Sequence, residues 1–215
     1  MKITRALAAV LATLLACSAC GGLGGQPPGS LPEVRGADGR DYLLLDKGAY
    51  KAFYDSWGRL EYIEYDSNGD GRPDHVAHHQ GNKLPGLIEV DEDFDGRMDR
   101  WESYDAQGRL LKVAASRRGA GPDIWNVLGP DGQPARREYD DDGDGRVERS
   151  ELLNAGRVVR LEVDADRDGR VDRWQDWRDG RLVGEELDTD GDGQADRRLN
   201  YAQGGALAGL QKLAR

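Results

Sequence analysis

The sequence predicts an all-β fold: an antiparallel hairpin repeat array of about six 24-residue units with acidic loops between strands. Three observations predict it. An acidic pattern with alternating Asp, a Gly and a closing acid starts at Asp66, Asp91, Asp140, Asp164 and Asp188, at separations of 25, 49, 24 and 24 residues. The runs between these loops are five to seven residues long and bounded by glycine turns, which suits strands and is short for helices. Aromatic content is only 7% and there are 30 glycines, so a thick central core is disfavoured and a thin array of neighbouring units is easier to build.

Taken in order, the chain opens with Lys2 and Arg5, an apolar run from Ala6 to Leu15, and Leu14-Leu15-Ala16-Cys17. The run is short for a bilayer span. The segment resembles a bacterial lipoprotein lipobox. That resemblance implies a signal peptide over 1–16, cleavage before Cys17 and a lipid on its sulfur, with Cys20 the second candidate and a plain secretory signal the alternative. Ser18 after the lipidated Cys implies, by similarity to enterobacterial sorting, the outer membrane or cell surface of a Gram-negative bacterium. Residues 17–32 continue as a Gly/Pro-rich tether. No further Cys follows Cys20, so no disulfide staples the body.

Residues 33–53 read as an N-terminal cap with a turn at Ala37-Asp-Gly-Arg40, and 54–205 as the repeats. Each repeat has a turn such as Gly58-Arg59 or Gly180-Arg181, a run, an acidic loop and a second run. The double step of 49 predicts a hidden copy near residue 115, where Ala115, Arg117 and Gly119 replace the leading acids. Its Asp123 and Trp125 fall where Asp99 and Trp101 fall in the second copy. Before each intact loop stands an apolar or aromatic residue (Tyr65, Val90, Tyr139, Val163, Leu187), preceded by Glu64, Glu89, Glu138, Glu162 or Glu186. Alternation places these Glu on one face, either helping to neutralise an ion or paired with Arg100, Arg149, Arg173 and Arg197. Pro73, Met98, Val147, Val171 and Ala195 read as pegs tying each loop inward, and Trp101, Trp125 and Trp174 as inter-repeat stacking. His75, His78 and His79 read as exposed strand residues. Residues 206–215 read as a weak helix or frayed tail.

The loops carry the chemistry. Their ligand candidates at positions 1, 3, 5, 7 and 9 are Asp66, Asn68, Asp70, Arg72 and Asp74; Asp91, Asp93, Asp95, Arg97 and Asp99; Asp140, Asp142, Asp144, Arg146 and Glu148; Asp164, Asp166, Asp168, Arg170 and Asp172; Asp188, Asp190, Asp192, Gln194 and Asp196. Position 7 would offer its backbone carbonyl. Like charges this close repel unless a cation sits among them, and the all-oxygen set suits Ca2+, with magnesium a poorer fit.

The loops resemble the Dx[DN]xDG calcium loops shared by EF-hands, dockerins and thrombospondin type 3 repeats. Glu102 and Glu151 extend two of them to an EF-hand-like position 12, whereas Ala77, Gln175 and Leu199 stand there in the others. The alternative fold is therefore EF-hand-like α. By that likeness the sites are weak, roughly 10⁻⁴–10⁻³ M. A net charge of −10 argues against nucleic acid. No nucleophile elbow, phosphate-cradling loop or catalytic His partner is recognisable, so no enzyme is expected. The expected role is a calcium-binding, lipid-anchored structural or surface-binding module with an unknown protein or glycan partner. The alternatives are a calcium buffer or sensor, and a carbohydrate-binding accessory lipoprotein.

Overall fold

The computed structural model describes residues 31–81, 83–119 and 121–213. The signal, Cys17, Cys20 and most of the tether lie outside these residues. Among the described residues there are sixteen strands and no helix. The chain divides into two compact units at Gly86/Leu87. The first holds β1 (Glu33–Arg35), β2 (Asp41–Asp46), β3 (Tyr50–Tyr54), β4 (Leu60–Tyr65) and β5 (His75–His78). The second holds β6 (Leu87–Val90), β7 (Arg100–Tyr104), β8 (Leu110–Ala115), β9 (Ile124–Leu128), β10 (Pro134–Tyr139), β11 (Arg149–Asn154), β12 (Arg157–Val163), β13 (Arg173–Arg178), β14 (Arg181–Leu187), β15 (Arg197–Tyr201) and β16 (Leu207–Lys212).

Within each unit strand order follows the chain, and every pairing is antiparallel with the preceding or following strand. The tight turns explain this order. Ala155-Gly156 and Asp179-Gly180 both have positive φ (49° and 73°, 50° and 73°), the two-residue hairpin geometry whose twist matches the flanking strands. Asp55 and Asp105 use one carboxylate oxygen to accept the N–H groups of Trp57 and Arg59, and of Gln107 and Arg109, closing wider turns. A register shift beside each of these four turns, and beside those joining β9 to β10 and β15 to β16, bends the strands locally. The EF-hand-like alternative is ruled out by the absence of helix among the described residues. The weak helix or tail expected after 205 is also corrected: residues 207–212 form β16, because five ladder pairs with β15 outweigh the helix propensity of Ala and Leu.

The two units are packed differently. In the first, Tyr42, Phe53, Tyr62 and His78 share one face, with Phe53 stacked on Tyr62 (4.2 Å) and Tyr42 edge-on to both (6.0 and 5.3 Å). Ala52, Ile63 and Ala77 are buried in one cross-strand row of the other face. In the second unit the buried apolar residues are Ile88, Val90 and Ala114, and none lies in β9–β16.

Rows of charged and aromatic side chains cover the faces there. One row runs Glu89, Trp101, Ala114, Trp125, Glu138, Ser150, Glu162, Trp174, Glu186, Arg198 across adjacent strands. The repeated Glu do share a face, but their partners are not Arg100, Arg149, Arg173 and Arg197. Glu138 meets Arg136 and Lys112, Glu162 meets Arg136 and Arg160, and Glu186 meets Arg160 and Arg198. Arg136 and Arg160 lie two residues before a Glu, hence on its face, whereas Arg100, Arg149, Arg173 and Arg197 fall in a row on the other face. The tryptophans do not stack on one another. Trp101 and Trp125 flank the buried Ala114, and the Trp101 indole N–H donates to Glu89. The pegs are not uniformly inward either, since Val147 is 38% exposed. Nor are the histidines exposed: His79 is buried and His75 and His78 are half-buried.

Candidate metal centre

Every acidic loop joins two strands and closes in the same way. The position-9 N–H donates to the carbonyl just before the loop, as Asp99 to Val90 (2.8 Å) and Asp196 to Leu187 (2.8 Å). The position-1 N–H of Asp140, Asp164 and Asp188 donates to the carbonyl of Asp123, Glu148 and Asp172, the position-9 residue of the preceding loop. In the second unit the loops thus follow one another along the same ends of the strands.

Inside the loop, one oxygen of the position-1 Asp accepts the N–H of the position-6 Gly in all five copies, at 2.6–2.9 Å. Position 4 takes a left-handed turn in every copy, including the non-glycines Phe94 (φ 62°) and Arg167 (φ 66°). This conformation costs a side chain energy and is held by the surrounding loop. The position-9 carboxylate reaches back to the position-2 N–H: Ser67, Glu92, Asp141, Ala165 or Thr189.

This closure gathers acids. One oxygen from each member lies within 4.8 Å of the others in four groups: Asp140, Asp142, Asp144 and Glu148; Asp91, Asp93 and Asp99; Asp164, Asp166 and Asp172; Asp188, Asp190 and Asp196. Positions 1, 3 and 9 therefore converge as predicted in four loops. Position 5 joins only in the Asp140 loop. Asp95, Asp168 and Asp192 stay outside, although they accept the position-7 N–H of Arg97, Arg170 or Gln194 just as Asp144 accepts that of Arg146. The first loop departs further. With Asn68 at position 3, Asp66, Asp70 and Asp74 form no such group of three acids. Asp74 is buried with both oxygens engaged, one with Ser67 and Asn68 and the other with His75 Nδ1 (2.5 Å). Burial pushes Asp74 up, but the hydrogen bonds of His75 and Ser67 outweigh it and hold the carboxyl below the usual Asp range.

Glu102 and Glu151 are not brought to the loops. Glu102 is bound on β7 by Arg100 and the Tyr104 hydroxyl, and Glu151 on β11 by Arg137, Arg149 and the Tyr139 hydroxyl. A strand running straight out of the loop carries position 12 away, where an EF-hand helix would turn it back.

The donor set fits a hard cation. Asp91 is 4% exposed, and no donor among the described residues reaches its buried Oδ1. A buried carboxylate oxygen with no partner is costly unless a cation meets it. At Asp140 and Asp188 burial again pushes the carboxyl up, and loop N–H groups outweigh it, from Gly143 and Gly145 and from Gly193 and Gly191 respectively. Both are held ionised below the usual Asp range, the state a metal ligand needs.

Sequence reasoning missed the cations already in place. The hidden copy starts at Ser116, not Ala115: the Ser116 N–H donates to Asp99 O (3.0 Å), and Ser116 Oγ accepts the Gly119 N–H as a leading Asp would. The loop is eight residues instead of nine. Arg117 donates from N (3.0 Å) and Nε (3.1 Å) to Asp123 Oδ1, and from Nη2 to Asp140 O (3.0 Å). Arg118 donates to the carbonyls of Asp140 and Asp141. Arg167 also bridges loops, with Nη1 2.6 Å from Asp142 Oδ2.

No protein-family model matches the chain, and no curated protein sequence matches it. Solved structures overlap it in part. A structure of accessory secretory proteins 1, 2 and 3 of Streptococcus pneumoniae gives a TM-score of 0.36 at 16% identity, covering 51% of this chain and 19% of that one. A GtfA/B complex bound to UDP and GlcNAc gives 0.36 at 15% identity, covering 64% and 26%. TarM gives 0.31 at 9% identity, covering 54% and 20%. The chain spans about a quarter or less of each, and likenesses at these scores identify neither a family nor an activity.

Proposed function

We propose that the four converged loops bind divalent cations, calcium by preference, and that ion binding completes the fold of the second unit. The observation that carries this reading is the convergence of three or four acids in each loop, with Asp91 Oδ1 buried and undonated. Asp91, Asp93 and Asp99, and their counterparts in the other three loops, would hold the ion, with carbonyl or water oxygens completing a shell of six to eight. Magnesium demands a stricter octahedron and gives up water reluctantly, so it fits less well.

The ion would supply positive charge where the chain has gathered negative charge. The position-1 Asp holds the loop turn through its glycine N–H, and the position-9 acid ties the far end of the loop to the near end. A cation drawing these acids together therefore fixes both strands that the loop joins, and binding and folding become one equilibrium. On this reading the protein is an exported, lipid-anchored structural or surface-binding module whose second unit is firm where calcium is plentiful. The lipid anchor rests on the Cys17 motif alone.

Isothermal titration calorimetry of the chelator-treated chain tests the reading. It predicts about four calcium ions bound, with magnesium weaker. Absence of calcium binding would refute it.

A further inference from the structure

The 116–123 loop lies between two acid clusters yet has only one acid of its own, Asp123. It nevertheless closes as the others do. The Asp123 N–H donates to Ala115 O (3.0 Å), and the Asp140 N–H donates to Asp123 O (3.0 Å). Where the intact loops bring further carboxylates, this one brings guanidinium groups. Arg117 Nε lies on Oδ1 of the buried Asp123 carboxylate, whose Oδ2 no donor among the described residues reaches, and Arg117 Nη2 and both Nη atoms of Arg118 extend to the carbonyls that open the next loop. Arg117 Nη2 also lies 3.5 Å from Asp141 Oδ1. The planar fork of arginine can serve carboxylate and carbonyl oxygens together and never loses its charge at physiological pH.

We propose that Arg117 and Arg118 are the resident cations of the 116–123 loop, which therefore closes without a metal ion and keeps β8, β9 and β10 paired when calcium is withdrawn. This rests on the ion-binding reading of the acidic loops. The second unit then has one permanent clasp, with ion-dependent loops before it (Asp91) and after it (Asp140, Asp164, Asp188). The Asp140 loop is tied to the clasp through its carbonyls, so Arg118 links ion-independent and ion-dependent closure directly.

Site-resolved amide exchange on the full chain tests the clasp. In chelator, the amides of Ser116, Asp123 and Asp140 are expected to exchange at least tenfold more slowly than those of Asp172, Asp188 and Asp196. Calcium should slow the latter three and leave Ser116 and Asp123 unchanged. Substituting Arg117→Gln with Arg118→Gln should speed Ser116, Asp123 and Asp140 at least tenfold in chelator without lowering the number of calcium ions bound. Equal exchange of the two sets in chelator would overturn the clasp, as would an unaffected double variant. If the double variant does not fold, the wild-type comparison in chelator decides alone. If calcium slows no amide anywhere, the ion-binding reading fails, while the clasp is still decided by the double variant.

Discussion

The first unit holds its strands together with aromatic rings: Phe53 on Tyr62, Tyr42 edge-on to both, and Ile63 buried on the reverse face. Over β9–β16 of the second unit no apolar side chain is buried, and the faces carry Arg–Glu rows that remain half open to water. Exposed or half-exposed ion pairs contribute little, about 0–1 kcal/mol each. A sheet without a core needs another source of cohesion. On the ion-binding reading the acidic loops would supply it, and among the described residues the groups of three or four gathered acids all lie in the second unit. The one acidic loop of the first unit closes through the same backbone and position-1 bonds, but it has Asn68 at position 3 and His75 on its position-9 carboxylate. In the first unit an imidazole occupies the position-9 oxygen, whereas in the second unit the gathered acids have the geometry of a cation site.

Substitutions can break this comparison. The largest effect is expected from Phe53→Ala, which should destabilise the first unit by about 3 kcal/mol in chemical denaturation and leave calcium stoichiometry unchanged. Asp140→Asn should remove one bound ion. It should cost the second unit about 1.4 kcal/mol when calcium is tenfold above its Kd, and far less in chelator. Glu162→Gln, in the ionic row, should cost less than about 1 kcal/mol and lose its effect in high salt.

Acidification sharpens the contrast in a stated direction. Asp140 and Asp188 have folded values below the ordinary Asp value of 3.8, so their contribution is complete above that value. It is lost as pH falls through the depressed folded value, because the unfolded chain then binds the extra protons. Circular dichroism of the chelated protein should show the loss only in strong acid. With calcium present, protons compete with the ion as well, so release should begin at higher pH.

Much of the fold could be read in the sequence because it is local. A 24-residue period, glycine turns and strand-length runs force sequential hairpins, and the alternation of Glu with an apolar residue fixed which positions share a face. The converging positions 1, 3 and 9 were equally legible. What escaped depended on cross-strand neighbours. The Arg partners of the Glu row follow from register, which no single repeat reveals. Position 5 joins the gathered acids only at Asp144, although Asp95, Asp144, Asp168 and Asp192 all accept their own position-7 N–H. The Ser116 start was hidden because the step of 49 divides into 25 and 24, and the total does not say which step is the longer. His75 next to Asp74 was the visible sign that the first loop differs, since a half-buried imidazole beside position 9 competes for the ligand oxygen.

The most direct test is calcium titration of the chelator-treated full chain, followed by hydrogen exchange resolved to the two units. About four ions should bind, with protection rising in β11–β15 and unchanged around Phe53 and Tyr62. Binding that protects both units alike would contradict the division of labour, and no binding with unchanged protection would contradict the role of the acidic loops altogether.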